Sequence, residues 1–336
     1  EMKVDALEVV AQLDRPPGNI AVAPNGRVFF TFHPEAKSVL NVAELIDGKP
    51  VAYPPFLPDG VKFQSVLSLR VDQQNRLWLL DNAQHGTGTP RILAVDLATN
   101  QVVHRHDFDP AIAGIGSHLN DFQVRADGRM IYIAEASIFA KNPALIVYDV
   151  EKQTARRVLE GHDAVEADNF VPVVQGRKMQ ILGVFAIRPG VDSIALDRSG
   201  EWLYFAPVTD DKLWRIRREL LDDWTLDSAT LAGAVHTYFP KTVSDGITTD
   251  NAGNIYLSDA DNSAIVLLTP EGKLRTLLKH DELRWPDGFS FGPDGWLYVT
   301  CSALHQVIMR SEKAINKRRP YQIFRFRPGQ EAVAGH

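Results

Sequence analysis

Short runs in which apolar and polar residues alternate, broken by Asn, Asp, Gly or Pro, recur along the whole chain. The stretch Ser244 to Asp259 shows the unit: a polar start, Gly246-Ile247-Thr248-Thr249, the turn Asp250-Asn251-Ala252-Gly253, the apolar Asn254-Ile255-Tyr256-Leu257, and a polar exit. Alternation of period two with β-branched and aromatic residues predicts strands, and the turn residues between them predict a hairpin. Copies follow at Gly18 to Phe29, Leu119 to Gly128, Val191 to Tyr204 and Pro286 to Val299. A sixth, Leu67 to Trp78, carries Asn75 in place of the turn glycine. Asn tolerates positive φ, so the turn is kept.

Counting eight residues back from each turn Gly, or from Asn75, gives Gly18, Leu67, Asn120, Asp192, Asp245 and Asp287, spaced 49, 53, 72, 53 and 42 residues apart. Those intervals suit four-stranded propeller blades. Third strands are expected at Arg91–Asp96, Ala144–Asp149, Lys212–Ile216, Ala264–Leu268 and Tyr321–Phe326, and more polar fourth strands at Gln101–His106 and Lys273–Leu278. Val4 to Leu13 is left over to close the last blade. The expected fold is all-β, a six-bladed β-propeller forming one domain over residues 1–336, with only short protected edges. Two insertions break the period. His162 to Arg188 carries an expected surface hairpin at Val171–Arg177, and Arg217 to Ala232 reads as one short helix with Leu220, Leu221 and Trp224 as its stripe. Trp78, Trp202, Trp214 and Trp296 are expected to pack between blades.

Composition narrows the partners. The net charge is −6 and no apolar run approaches the ~18 residues of a membrane helix, so neither nucleic acid nor membrane is expected as a partner. The single Cys301 excludes an internal disulfide or a multi-cysteine metal site. The chain starts at Glu1, which fits a processed signal peptide or a trimmed chain, and a periplasmic or secreted monomer is favoured over a cytoplasmic one.

In a propeller the first strand of each blade lines the central channel, so the six positions above form a ring at one mouth. A like-charged pair ~4 Å apart costs about 4 kcal/mol at an effective dielectric near 20, so converging carboxylates require protons or a cation. Hard oxygen donors suit a divalent ion, here expected to be Ca²⁺ on Asn120, Asp192 and Asp245. The competing reading for the ring aspartates is that each caps its own turn. Asp127, Asp197, Asp250 and Asp294 lie in the hairpin turns and are read as structural. The exits of the second strands share the face of the ring and hold His33, Glu35, Asp81, Asn82, His85, Glu135, Thr209, Asp210, Asp259, Ser302 and His305. Asn19, His33, His85, Asp121, Asp287 and His305 are the expected contacts to a small-molecule ligand.

The segments PPGNIAVAPNGRVFFTFHP, RLWLLDNAQ, RILAVDLATNQVV, SDGITTDNAGNIYLSDADNSAI and WPDGFSFGPDGWLYVTCSALHQ, with Ser193-Ile194-Ala195-Leu196-Asp197, resemble the Yellow/major royal jelly protein family in order over nearly the whole chain, and its bacterial members in particular. That family belongs to a wider group of six-bladed propellers that includes gluconolactonases and the calcium-binding senescence marker protein. The resemblance implies that Asn120, Asp192 and Asp245 match the gluconolactonase channel Asn and metal ligands. The first-blade Glu ligand of that group is replaced here by Gly18, and Asp287 is the neighbouring candidate to stand in for it. Two functions follow. One is a metal-dependent hydrolase of a lactone or related ester, with the cation polarising the carbonyl and Asp245 activating water. The alternative is a non-catalytic small-molecule binder.

Overall fold

The structure, a computed structural model, describes residues 6–335 apart from 182–184 and 187. Six four-stranded antiparallel sheets form the blades of a propeller. Blade 1 is Pro17–Val22, Val28–Phe32, Val42–Ile46 and Lys49–Ala52, and blade 2 is Val66–Val71, Arg76–Asp81, Arg91–Asp96 and Gln101–Asp107. Blade 3 is Leu119–Val124, Met130–Glu135, Ala144–Asp149 and Thr154–Val158; blade 4 is Val191–Leu196, Trp202–Pro207, Lys212–Arg217 and His236–Pro240. Blade 5 is Ile247–Thr249, Ile255–Asp259, Ala264–Leu268 and Leu274–Lys279. Blade 6 takes Pro286–Phe291, Leu297–Cys301 and Tyr321–Phe326 from one end of the chain and Glu8–Leu13 from the other, so the expected closing strand is present. Its first expected residues, Val4 and Asp5, lie outside the described residues.

Burial falls from the axis outward. Every residue of the innermost strand of blade 2 is buried, whereas its outermost strand, Gln101–Asp107, alternates between exposed and half-buried. The inner strands therefore sit in packed apolar surroundings, and any polar side chain there needs a partner.

The six hairpin turns have the backbone that the pattern requires. Gly26, Asn75, Gly128, Gly200, Gly253 and Gly295 have φ of 87°, 59°, 71°, 72°, 85° and 69°. Turn aspartates hold them: Asp250 accepts from Ala252 N, Asn254 N, Asn254 Nδ2 and Tyr256 OH. Asp197 accepts from Glu201 N and Trp202 N, and Asp127 from Arg129 N.

At the opposite end of the inner strands the ladder is deliberately broken. The pairing register slips between Pro17 and Ile20, Val66 and Ser68, Leu119 and Phe122, Val191 and Ser193, and Pro286 and Phe289. Bulges of this kind re-aim a side chain and free backbone groups. Hydroxyls on the inner hairpins take up the freed groups: Thr31 Oγ1 accepts from Asn19 N, Ser258 Oγ from Asp245 N, and Thr300 Oγ1 from Gly288 N. The same layer stitches the ring. Thr31 donates to Leu67 O, Ser68 to Asn120 O, Ser193 to Asp245 O and Thr300 to Gly18 O, each a carbonyl of the ring position in the next blade. Between blades 5 and 6 the approach is closer still, and a Cβ on Gly246 would overlap the carbonyl oxygen of Asp287. The glycine after Asp245 is therefore a close-approach residue rather than a turn residue.

Three expectations need correction. The 217–232 segment forms two helices, Arg218–Asp222 and Ser228–Gly233: the first stops at the extended Asp223, which accepts from Thr225 N, and Asp227 caps the second by accepting from Thr230 N. The four tryptophans do pack in or against the clusters between neighbouring blades, but of the four only Trp78 is wholly buried. Trp202 and Trp296 are half-buried between arginines, Arg215 with Arg217 and Arg325 with Arg327, as cation–π pairs. The hairpin of the first insertion, Val173–Val174 with Arg177–Lys178, is anchored over the mouth rather than free on the surface, with Val174 buried.

Candidate active site

The bulged ends of the inner strands open into a cavity of about 230 Å³. Its base is the ring itself: Leu67, Asn120, Asp192, Asp245 and Asp287 all line it. His33, Glu35, His85, His118 and Thr209 add polar groups from the loops, and Phe139, Met179, Trp285, Leu304 and Ile308 supply apolar walls. Five ring residues and two of the expected histidines, His33 and His85, therefore meet at one place. Three other expected contacts lie elsewhere. Asn19 and Asp121 do not reach the cavity, because the bulge turns them into the layer beneath, where Asn19 Nδ2 donates to Asp121 Oδ1 at 2.6 Å. His305 is buried on the far side of the cavity wall, bonded to Gln175 Oε1 at 2.9 Å. The carboxylates Asp81, Glu135, Asp210 and Asp259 serve the loops: Asp81 accepts from three backbone N–H groups and Asp259 from Asn262. Glu135 pairs with Arg157, and Asp210 accepts from Trp214 Nε1.

The base carries too many carboxylates for the positive charge within reach. Burial first, then repulsion from Asp245 and Asp121, raises Asp192 well above the ordinary carboxylate range, and a hydrogen bond with Asp245 adds to it. Burial raises Asp245 too, opposed by the Trp285 bond, by Asp192 and by Lys241. Burial therefore favours the protonated form of both carboxyl groups. Burial and Asp245 raise Asp287 in the same way. Asp192 Oδ1 is buried without any hydrogen-bond partner. Asp245 Oδ2, by contrast, accepts from Trp285 Nε1 at 2.5 Å. Trp285 reaches it from a backbone with φ of 56°, a conformation that a bulky residue adopts only where its surroundings impose it.

Two internal cations replace some of the missing charge. Arg70, wholly buried, donates to Asn19 Oδ1 at 2.9 Å and lies 3.8 Å from Asp121. Asp121 is nevertheless raised to about 6 by burial. Lys241 donates to the carbonyls of Val208 and Thr242, and burial lowers it to about 8.

On the opposing wall His85 and His118 stack with ring centroids 4.7 Å apart and Nδ1 atoms 3.0 Å apart, one donating to the other. Burial lowers both, His118 to about 3, so both rings are neutral at pH 7. The loop that presents His85 is strained: Ala83, Gln84 and His85 have φ of 52°, 53° and 58° in succession. Each non-glycine residue in that region costs roughly 1–2 kcal/mol, which is the mark of a position held for its side chain.

The sequence profile described as major royal jelly protein matches residues 64–289, about two thirds of the chain. The chain belongs to the major royal jelly protein family. No curated protein matches it closely enough to transfer a role. Among solved structures, this royal jelly family chain is similar to a calcium-binding regucalcin of Agrobacterium tumefaciens, at 15% identity and TM-score 0.61 over 97% of this chain and 94% of that one. It is similar to a luciferin-regenerating enzyme, at 12% identity and TM-score 0.61 over 98% and 97%. A gluconolactonase of Xanthomonas campestris follows at 12% identity and TM-score 0.60 over 96% and 89%. Identities this low establish the shared propeller fold.

Whether the ring of this royal jelly family chain suits a cation is decided by its donors. Among the described residues no group of three or more Asp, Glu, His or Cys is spaced to enclose a metal ion. The ring offers the carboxylates of Asp192, Asp245 and Asp287 and the Asn120 amide, with Asp192 Oδ1 lacking a partner, hard oxygen donors of the kind that suit a divalent cation. Gly18 offers nothing, and a Cβ there would lie 2.7 Å from Thr31 Oγ1, so no side chain enters from the ring position of blade 1.

Trp285, His118, Arg70 and Lys241 were not singled out by the repeat. Trp285, His118 and Lys241 sit on loops outside it. Arg70 had a signal, being the lone charge in the otherwise uncharged inner strand Val66–Val71.

Proposed function

We propose that the cavity hydrolyses a lactone or related ester, with the Asp192–Asp245 pair as its centre. One observation carries this reading: two buried carboxylates, Asp192 and Asp245, meet at the base of a cavity that can take a small molecule, and Asp192 Oδ1 has no partner there. Charge left uncompensated in a cleft marks a functional site, because folding alone would have paired it. Asn120, Asp192 and Asp245 would hold a divalent cation, which when bound would polarise the ester carbonyl and stabilise the oxyanion. Asp245 accepts the proton of the attacking water, with Trp285 fixing the orientation of its carboxylate. The neutral His85–His118 pair provides a second proton acceptor on the wall. Phe139, Met179, Leu304 and Ile308 exclude bulk water, which strengthens every polar interaction inside. The structural neighbours agree with this reading in kind, since one is a gluconolactonase and another a calcium-binding regucalcin.

A panel of γ- and δ-lactones assayed with chelator and with added Ca²⁺, Mn²⁺ or Mg²⁺ tests it. Turnover that depends on the ion and falls at least about 100-fold in Asp245→Ala supports the proposal. Equal turnover in that variant removes the mechanism. The apolar wall and the missing first-blade ligand favour a second reading, a small-molecule binder. Calorimetry with amines and sugars that gave saturable affinity without turnover would select it.

A further inference from the structure

A second cavity, of about 350 Å³, lies behind the wall that His305 occupies. We propose that it binds a phosphate-class oxyanion, and that occupancy fastens the Val173–Lys178 hairpin across the mouth of the first cavity. The inference is independent of the chemistry proposed there.

The cavity is formed where that hairpin meets the two short helices Leu304–Val307 and Glu312–Asn316. Arg177, Arg310, Lys317 and Arg318 line it, and no carboxylate does, in a chain whose net charge is −6. Neighbouring cations outside the cavity are paired: Arg15 with Glu312, Arg319 with Asp14 and Arg284 with Glu282. Among the described residues Arg310, Lys317 and Arg318 form no ion pair with any carboxylate. Three like charges gathered in a recess repel each other and gain most from an anion that can accept several charge-assisted hydrogen bonds at once. A tetrahedral dianion meets that need better than a single carboxylate.

The buried side of the cavity brings no carboxylate either. His305 is 4% exposed, its Nε2 is bonded to Gln175 Oε1, and its Nδ1 has no partner. Burial first, then the charges of Arg284, Arg177 and Arg318, lower His305 to about 4, so its ring is neutral and leaves the positive charge of the recess to its arginines and Lys317.

The link to the first cavity is covalent and short. Gln175 and Arg177 belong to the hairpin, and the flanking Pro172 and Met179 line the first cavity. At present Arg177 ties the hairpin to the carbonyls of His305 and Ile308, and Gln175 Nε2 to Ser263 Oγ and Asp281 O. An anion held between the hairpin and Arg310, Lys317 and Arg318 would add a charged clamp at its tip.

The test is calorimetric titration of the full chain with inorganic phosphate at low ionic strength, with chloride as the background anion. Lys317 and Arg318 are exposed, so Lys317→Gln/Arg318→Gln retains the fold, and Arg310→Gln provides an independent second variant. Saturable binding that weakens at least tenfold in either variant supports the site. Absence of saturable heat, or unchanged affinity in both variants, overturns it. A parallel arm with a phosphomonoester distinguishes the sources: affinity equal to that of phosphate marks a site open to esters, and weaker affinity marks one for the free ion. Hydrogen exchange of residues 173–178 reads the clamp, which should slow severalfold with phosphate in the wild type and not in the variants. Exchange that phosphate leaves unchanged overturns the fastening.

Discussion

Asp245 and Asp250 stand five residues apart at the two ends of one inner strand, and their surroundings are opposite. Asp250 is fully buried, and its two oxygens accept four hydrogen bonds from its own turn. Asp72 repeats the arrangement in blade 2, accepting from Gln74 N, Arg76 N, Arg76 Nε and Trp78 Nε1. At the other end Asp245 accepts from one tryptophan and faces the same cavity as Asp192, whose Oδ1 is orphaned. Residue type and burial are the same, so neither distinguishes structure from function. The satisfied carboxylates hold the fold, and the unsatisfied ones store the capacity to bind something.

The comparison can be broken at several points. Gly246→Ala should have the largest effect, about 3–5 kcal/mol of destabilisation in chemical denaturation, because its Cβ has no space beside Asp287 O. Asp250→Ala strands the N–H groups of Ala252 and Asn254 and the Tyr256 hydroxyl, and should cost about 3 kcal/mol by the same measurement. Asp192→Asn should do the reverse: turnover on a responsive lactone falls about 100-fold, while stability holds or rises by about 1 kcal/mol. A loss of stability as large as that of Asp250→Ala would erase the distinction between the two ends.

The smallest effect is a slope against pH in the metal-free protein. Asp121 is raised from 3.8 to about 6, so its contribution to stability is present below 3.8 and lost as pH rises through 6. His118 is lowered from 6.5 to about 3, so its contribution is present above 6.5 and lost as pH falls towards 3. Between pH 6 and 4 the two oppose each other. Asp121→Asn removes one of them, and its denaturation midpoint should fall more steeply on acidification than that of the wild type.

Much of this was legible in the chain because the repeat is local. A turn glycine and the residue eight positions before it are joined by a single strand, so geometry carries Gly253 to Asp245 without tertiary knowledge. The bulge was not legible, and it is what turns Asn19 and Asp121 away from the cavity while leaving Asn120 on it. Nor was the reach of side chains between blades: Trp285 finds Asp245 across forty residues, and Gly246 is demanded by a carbonyl in the next sheet. The single helix expected over 217–232 failed for a local reason, since Asp223 and Asp227 each bond the backbone of their own turn, one ending a helix and the other starting the next. Loops carried the remaining surprises, among them the left-handed Ala83–His85 turn that no periodicity announces.

Blade 6 joins Tyr321–Phe326 to Glu8–Leu13, so the ring has a latch made from both halves of its history. The segment that a ribosome makes early waits, without its sheet partner, until more than three hundred further residues have emerged. Pairing across that separation is entropically slow, so the last act of assembly should be concerted, with six partly formed blades drawn shut at once. The cavity, sitting on the axis that this step creates, is among the last parts of the molecule to exist.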